Sequence, residues 1–342
     1  MKLAVTYMTR RCPRDCAYCS IREGKDTGPE LTEEQWIEAF DILKSIGVTF
    51  NLILGNEPWL LGEKLVPIFK ANKVPYAMYT TAPKKLFSKN EQILLGDKVI
   101  DNLSCGVDYP MGARSQVRDA SIEKAADAWD AFYRVKKLHP EVDMQGTITV
   151  HRRNIAYIGL IVQQLSKLGI FAGINLIHWS KDHQYDFFPP EEDMKDYLFK
   201  EQDYIVVTSV FKSLLEESNL LIYNPEYLQA IVDNPKLIGM GWHCQGNPYD
   251  GPTIDADGTL RVCGYRKGTR TPKFTIFDLP EKTEEWKEAV RLDAMDCPGC
   301  IWVCPFIHHY WKEKDPVMGE KVFTSHAGEH IDKSKWSKRR VE

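Results

Sequence analysis

The sequence LAVTYMTRRCPRDCAYC, residues 3–19, places a short apolar strand directly before a loop that contains three cysteines. From this strand to about residue 180, short β-branched runs alternate with amphipathic segments, a pattern that predicts parallel strands connected by helices. We therefore predict an α/β fold. The six predicted strands cover residues 3–8, 50–54, 76–80, 101–105, 144–150 and 171–177.

The helix after the first strand has the clearest predicted boundaries. Thr32 and Gln35 have the spacing of a capping box, apolar residues recur on one face, and Gly47 supplies a stop signal. Further helices are predicted over residues 63–72, 85–95, 122–138, 156–168 and 204–217. In such an array the loops after the carboxyl ends of the strands carry the chemistry, so we expect the functional side chains there.

The composition is that of a globular protein, because 43% of the 342 residues are apolar and 27% are charged. No apolar run approaches the roughly 20 residues that cross a bilayer, and the basic start lacks the apolar region of a signal peptide. We therefore expect a cytoplasmic protein with no membrane partner. The net charge of -4 gives no general attraction to nucleic acid, and the basic residues 333–340 are interpreted as a solvated tail.

Nine cysteines in a chain with no secretion signal are not typical of a disulfide framework. Three of them, Cys12, Cys16 and Cys19, form a C-x3-C-x2-C pattern in the loop after the first strand. Three neighbouring thiolates can hold three corners of an iron–sulfur cubane and leave one iron open, whereas structural zinc needs a fourth ligand. The alternatives are a zinc knuckle completed from elsewhere and three unconnected buried cysteines.

The C-x3-C-x2-C pattern, with Tyr18 directly before the last cysteine, resembles the signature of the radical S-adenosylmethionine (SAM) superfamily. The resemblance implies a partial (β/α)6 TIM-like barrel, a [4Fe–4S] cluster on the three cysteines, and SAM at the open iron. It implies that Tyr18 is also a cofactor contact. Gly55, Asn56 and Glu57 follow the second strand as a variant of the family's GGE motif, with Asn56 in place of the usual second glycine. By resemblance, they receive the amino group of SAM.

The loops after the fourth and fifth predicted strands supply further candidates. By the same resemblance, Ser104 and Asp108, and Arg152 or Arg153, contact the ribose and the carboxylate of SAM; solvated surface positions are the alternative for the arginines. Cys105 could donate a hydrogen atom to a substrate radical, or it could be a small buried residue. Other side chains that could face the cavity are Tyr109, His178 and His183.

Five further cysteines follow in the C-terminal part of the chain: Cys244, Cys263, Cys297, Cys300 and Cys304. Residues 255–258 (DADG) predict a hairpin turn that brings Cys244 and Cys263 together on adjacent strands, and a later C-x2-C pair could complete a four-thiolate site. On spacing alone, zinc and an iron–sulfur cluster are both acceptable occupants.

This C-terminal region resembles the SPASM and twitch extensions of radical SAM enzymes. The resemblance implies a second [4Fe–4S] cluster on Cys244, Cys263, Cys297 and Cys300, with Cys304 as a substitute ligand or a free thiol. We therefore expect the barrel at residues 1–235, a twitch-like β-hairpin and short helix that bind the auxiliary cluster at residues 236–310, and a tail at residues 311–342.

The resemblance implies an enzyme that cleaves SAM reductively to a 5′-deoxyadenosyl radical and abstracts hydrogen from a substrate, with oxidation or epimerisation as the result. Its expected partner is an electron donor such as flavodoxin or ferredoxin. Because the cysteine loop begins at residue 12 and leaves no room for a leader-binding domain, we expect a small polar substrate, such as a sugar, amino acid or nucleoside derivative. The alternatives are radical SAM modification of a ribosomal peptide, a zinc-stabilised RNA- or protein-binding module, and a non-catalytic electron carrier.

Overall fold

The structure is a computed structural model of the chain. It describes residues 3–16, 18–19, 28–71, 76–97, 99–100, 102–113, 120–179, 191–244, 251–264, 266–297, 299–303, 306–307 and 309–310. The basic segment 333–340, the proposed tail, and two candidate residues, His183 and Cys304, lie outside the described residues.

The strands are β1 (Leu3–Tyr7), β2 (Phe50–Leu54), β3 (Tyr76–Thr80), β4 (Asn102–Gly106), β5 (Asp143–Val150), β6 (Phe171–Leu176), β7 (Thr253–Ile254) and β8 (Leu260–Arg261). The α-helices are α1 (Glu33–Ser45), α2 (Leu65–Ala71), α3 (Lys84–Glu91), α4 (Ala120–Leu138), α5 (Ile158–Lys167), α6 (Glu191–Met194), α7 (Tyr204–Glu216), α8 (Pro225–Asp233), α9 (Leu237–Met240) and α10 (Leu279–Met295).

The first six strands lie side by side in chain order, and each pairs in parallel with the next. Helical crossovers between sequential parallel strands produce this order, which is that of a partial TIM-like barrel. The α/β fold predicted from the sequence is therefore confirmed, and the six predicted strands agree with the observed ones to within one residue at each end.

The helices agree less closely with their predicted ranges. The capping box of α1 is confirmed, because the Thr32 hydroxyl accepts a hydrogen bond from the Gln35 amide and the Gln35 side chain accepts one from the Thr32 amide. The predicted helix 85–95 is α-helical only to Glu91 and continues as one π-helical turn, Gln92–Gly96. The sequence interpretation missed α8, and the helix predicted to be short after the C-terminal hairpin is the 17-residue α10.

The C-terminal hairpin extends the barrel sheet. Its predicted turn at residues 255–258 is confirmed, and β7 pairs antiparallel with β8, but β7 also pairs in parallel with β1. Gly251 makes this approach possible, since a Cβ atom there would lie 1.9 Å from the carbonyl oxygen of Leu3. The expectation that Cys244 and Cys263 occupy adjacent strands is wrong, because the strand next to β8 is Thr253–Ile254.

No α-helix in the described part of the chain combines the length and the apolar character needed to cross a bilayer.

The segment that follows Cys263 is held by one buried carboxylate on α10. Asp293 accepts hydrogen bonds from the backbone amides of Thr269, Arg270 and Thr271 and from both threonine hydroxyls. Burial alone would raise the pKa of Asp293, but these donors outweigh it and lower the pKa from 3.8 to about 2. Asp293 therefore fixes the segment behind the second cysteine group.

We expect Asp293→Ala to lower the free energy of unfolding by about 3 kcal/mol, because it leaves several donors without an acceptor. Asp296→Ala is the matched control: Asp296 also binds Arg270, but it is 61% exposed, and its loss should cost less than about 1 kcal/mol. Urea unfolding of both variants tests this. Because the pKa of Asp293 is lowered on folding, its contribution should be complete above its unfolded pKa and fade as the pH falls towards 2. Equal destabilisation by the two variants would contradict the expectation.

Candidate active site

A cavity of about 200 Å³ lies at the carboxyl end of the parallel strands. The loops after β1, β2 and β3 and the ends of β5 and β6 contribute its walls. The lining residues are Cys12, Arg14, Cys16, Tyr18, Cys19, Gly55, Asn56, Thr81, Lys124, Thr149, Asn175, Ile177 and His178. The structure therefore brings seven of the residues selected from the sequence, from two separate loops and the end of β6, to one cavity.

The three cysteines of the first loop share this cavity. A hydrogen bond of 3.0 Å from the Cys19 amide to the Cys16 carbonyl closes the loop, and the Arg14 amide donates to Cys12 Sγ at 3.4 Å. Burial raises the pKa of the Cys16 thiol to about 11, while the positive charges of Lys124 and Arg14 oppose that rise. Three soft thiol ligands with two nearby cations suit an anionic iron–sulfur cluster.

The described cysteines of the two groups are not arranged as single-ion sites. Within the residues that the structure describes, no three Cys, His, Asp or Glu side chains are placed so that they could hold one metal ion. The ligands of a cubane need not converge on one point, because each thiolate binds a separate iron atom of the cluster. The donor set at the cavity therefore fits a cluster ligated by three cysteines.

Glu57 is fully buried and supports the loop after β3. Its carboxylate accepts hydrogen bonds from the Trp59 amide, the Thr80 hydroxyl, and the amide and hydroxyl of Thr81. Burial raises the pKa of Glu57, although these hydrogen bonds oppose the rise. The structure thus places the Glu57 carboxylate behind Thr81, which lines the cavity, and Glu57 itself is not among the lining residues.

Gly55 and Asn56 form the cavity wall after β2. Gly55 has φ = 131°, and a Cβ atom there would lie 3.2 Å from the Thr9 carbonyl oxygen, so the close approach to the β1 loop requires glycine. Asn56 has no such requirement, because Ala82 is the one non-glycine residue with positive φ in the described chain. The Asn56 side chain instead donates a hydrogen bond to the Arg10 carbonyl. Asparagine therefore fits where the family motif has its second glycine.

A buried charge pair lies behind the cysteine loop. Lys124 Nζ on α4 lies 2.6 Å from Asp108 Oδ2 and donates to the Tyr18 hydroxyl at 2.9 Å. The Tyr18 hydroxyl also bonds Asp108, whose other oxygen accepts from the Thr149 amide at 2.7 Å. Burial lowers the pKa of Lys124, but Asp108, Cys16 and Cys19 outweigh it and raise the pKa, so the ammonium stays charged. Asp108 is not among the lining residues, but it holds Lys124 and Tyr18, which both line the cavity.

The structure does not bring the two arginines after β5 to the cavity. Arg152 pairs with Asp203 at 3.2 Å. Arg153 pairs with Asp196 at 3.0 Å and lies over the Tyr197 ring. Both side chains are exposed, at 38% and 41%, and neither lines the cavity, which corresponds to the surface alternative.

Ser104 and Cys105 on β4 also lie away from the cavity wall. The Ser104 hydroxyl shares a hydrogen bond of 2.5 Å with the hydroxyl of Thr147 on β5. Cys105 is fully buried in the apolar core, and burial raises the pKa of its thiol. Neither residue is among those that line the cavity, and for Cys105 this placement favours the buried-residue interpretation over the hydrogen-donor one.

Aromatic rings surround the Tyr18 side of the cavity. The Tyr18 ring lies 5.3 Å from His151 and 5.9 Å from Tyr197, and Tyr109 lies 6.1 Å from His151. His178, at the end of β6, lines the cavity directly, and burial lowers its pKa to about 3, so its imidazole is neutral at pH 7. This wall can contact a flat or apolar group without adding charge.

The four described cysteines of the second group, Cys244, Cys263, Cys297 and Cys300, also lie near one another. Burial, together with the nearby thiols of Cys263 and Cys297, raises the pKa of Cys244 to about 12. The pKa of Cys300 is raised by burial and by the nearby thiols of Cys263, Cys244 and Cys297. The backbone of Cys300 pairs with Trp242 through hydrogen bonds of 2.8 and 3.0 Å, which connects the C-x2-C segment to the segment of Cys244. The four described candidates therefore lie in one electrostatic neighbourhood.

Ion pairs join the first cysteine loop to the C-terminal hairpin. Arg10, two residues before Cys12, lies 2.8 Å from Asp257 and 3.3 Å from Asp255. Asp255 also pairs with Arg261, which stands two residues before Cys263 and lies over the Tyr7 ring. These charges fix the position of one cysteine segment relative to the other.

Sequence interpretation missed two cations of the cavity, Lys124 and Arg14. Lys124 falls on the stripe of α4 that also contains the buried residues Ala128 and Phe132, and a lysine on an apolar stripe was the available signal. Arg14 lies inside the cysteine motif, but nothing in the sequence shows that its side chain is buried.

We expect Lys124→Met to lower the free energy of unfolding by about 3–5 kcal/mol, since it leaves the Asp108 carboxylate buried without its cation. The double variant Asp108→Asn/Lys124→Met should be more stable than that single variant, because no isolated buried charge remains. Urea unfolding of cluster-free protein measures both, and Lys137→Met, an exposed position on the same helix, is the control. Additive effects of the two substitutions would argue against the charge pair.

A family model described as "Radical SAM superfamily" matches residues 6–110. Among curated proteins, the chain is 24% identical over 202 residues to a PqqA peptide cyclase from Granulibacter bethesdensis. That alignment covers 55% of this chain and 51% of the relative, so the matched region is about half of the curated protein.

Solved structures share the fold. One is anSMEcpe with bound AdoMet and a Cp18Cys peptide, at a TM-score of 0.57 and 16% identity, covering 86% of this chain and 83% of that chain. Another is SuiB from Streptococcus suis bound to the precursor peptide SuiA, at a TM-score of 0.50 and 14% identity, covering 76% and 59%. Together with the three-cysteine cavity, the family match identifies residues 6–110 as a radical SAM superfamily domain, which implies a [4Fe–4S] cluster and SAM as cofactors.

Proposed function

We propose that this radical SAM enzyme modifies a peptide. The observation that carries the enzyme class is the meeting of Cys12, Cys16 and Cys19 at one cavity at the carboxyl end of the barrel strands. Support for a peptide comes from the relatives, since one is named a peptide cyclase and two solved structures of similar fold hold peptides. The expectation of a small polar substrate has no comparable support, so the peptide alternative becomes the proposal.

When bound, the cluster and SAM supply a 5′-deoxyadenosyl radical for hydrogen abstraction. The chain's own residues hold the site around them. Glu57 fixes the loop that carries Thr81, and the Asp108–Lys124–Tyr18 contacts fix the cysteine loop. The rings of Tyr18 and His151, with centroids 5.3 Å apart, pack beside the cysteine loop.

The second cysteine group is proposed to hold an auxiliary [4Fe–4S] cluster. Four half-buried cysteines share one neighbourhood, and the segment that follows Cys300 reaches the active-site wall, since the Val303 amide donates to Asn175 Oδ1 at 3.3 Å. A cluster there would lie within the same packed body as the substrate cavity. It could therefore accept the electron that remains after hydrogen abstraction.

Cysteine variants separate the two sites. Reconstituted anaerobically, the wild-type protein should hold about eight irons per chain, and Cys16→Ala and Cys300→Ala should each lose iron. SAM cleavage to 5′-deoxyadenosine should vanish in Cys16→Ala but persist in Cys300→Ala, because only the first site has an open iron. Iron analysis and chromatography of 5′-deoxyadenosine are the measurements. A protein that takes up zinc alone, or a Cys16→Ala variant that still cleaves SAM, would contradict the proposal.

The substrate class can be tested with deuterium. Cells of the source organism are grown in deuterated medium, and their extract is separated by size into a peptide fraction and a small-metabolite fraction. Reduced enzyme and SAM are then added to each. We expect deuterium in 5′-deoxyadenosine with the peptide fraction, because the abstracted atom comes from the substrate. Label from the small-metabolite fraction alone, read by mass spectrometry, would restore the small-molecule alternative.

A further inference from the structure

Arg14 lies inside the cysteine loop, and its guanidinium group contacts two acceptors. Its Nη2 atom forms an ion pair with Asp127 on α4 and lies 3.5 Å from the Thr81 carbonyl oxygen. Asp127 is itself fixed, because its carboxylate also accepts from the Lys84 amide at 3.1 Å at the start of α3. The Arg14 side chain is only 10% exposed. Its guanidinium group therefore has a defined position.

The Nε–H group of this guanidinium has no such acceptor. Arg14 lines the active-site cavity, and its buried Nε atom has no hydrogen-bond partner in the part of the chain that the structure describes. A buried donor without an acceptor is costly, above all on a charged group. The acceptor for Nε–H is thus expected in whatever fills the cavity.

The contacts of Arg14 point to sulfur as that acceptor. Its backbone amide already donates to Cys12 Sγ at 3.4 Å, and its side chain lines the same cavity as Cys16. Both cysteines are proposed cluster ligands, so the anionic sulfur atoms nearest to Arg14 are those of the cluster and its thiolates.

We propose that Arg14 Nε donates a hydrogen bond to a sulfur atom of the bound [4Fe–4S] cluster, and that Asp127 is the positioning residue that aims it. The inference rests on the proposed cluster at Cys12, Cys16 and Cys19. Hydrogen bonds to the sulfurs and nearby positive charge both favour the reduced, more negative cluster. Arg14 therefore makes the cluster easier to reduce before SAM is bound.

The test uses reconstituted full-length protein without SAM and measures the ratio of reduced to oxidised cluster by electron paramagnetic resonance at one fixed potential. A Cys300→Ala background removes the signal of the second site. Arg14→Gln should lower the ratio about tenfold, which corresponds to 59 mV for one electron. Arg14→Lys, which keeps the charge, should lower it less. Arg11→Gln is the control, since Arg11 is in the same loop but its side chain is 49% exposed and pairs with Glu30.

Asp127→Asn supplies a second test that does not require replacement of Arg14. By charge alone, the loss of a carboxylate would raise the ratio of reduced to oxidised cluster. If Asp127 aims Arg14, the ratio should fall instead. Asp130→Asn is the matched control, because Asp130 lies three residues further along α4, pairs with Lys84, and is 60% exposed. This variant should leave the ratio unchanged.

Two results would overturn the inference. In the first, Arg14→Gln and Arg11→Gln give the same ratio, or Asp127→Asn raises it. In the second, Arg14→Gln changes only the affinity for SAM, which would make the SAM carboxylate the acceptor. A wild-type protein that takes up no cluster would refute the proposed function, and that outcome is visible before any variant is made.

Discussion

The ammonium of Lys124 and the carboxylate of Asp108, 2.6 Å apart and both buried, are the contact on which the active site depends. The pair joins α4 to the loop after β4, and the Tyr18 hydroxyl brings the cysteine loop into the same network. Isolated charges at this depth would be strongly unfavourable, so each partner constrains the position of the other. The cysteine loop has little regular structure of its own, and this polar network gives it a fixed position.

The two cysteine regions are distant in sequence but belong to one packed body. Arg10 and Arg261 share the Asp255 carboxylate, and the Tyr7 hydroxyl donates to the Gly264 carbonyl at 3.0 Å. Each arginine stands two residues before a cysteine of a different group. The hairpin therefore aligns the second group with the first through the edge of the barrel sheet.

The sequence predicted the strands well because each short β-branched run is bounded by turn signals, and it predicted the α1 boundary because Thr32 and Gln35 cap it locally. Long-range contacts were not predictable in this way. The apolar stripe of α4 indicates that Lys124 is buried, but no local pattern shows that Lys124 meets Asp108 or that Arg152 pairs with Asp203. The requirement for Gly251 depends on a neighbouring strand nearly 250 residues away.

The pairing of β7 with β1 has a consequence for how the chain is made. The partner of the outer edge of β1, Thr253–Ile254, is synthesised only about 250 residues after β1 itself. Until then, a nascent chain carries an apolar strand with unsatisfied backbone groups on one side, the kind of edge that recruits other chains. Until translation reaches the hairpin, the outer edge of β1 is open to pairing with strands of other chains.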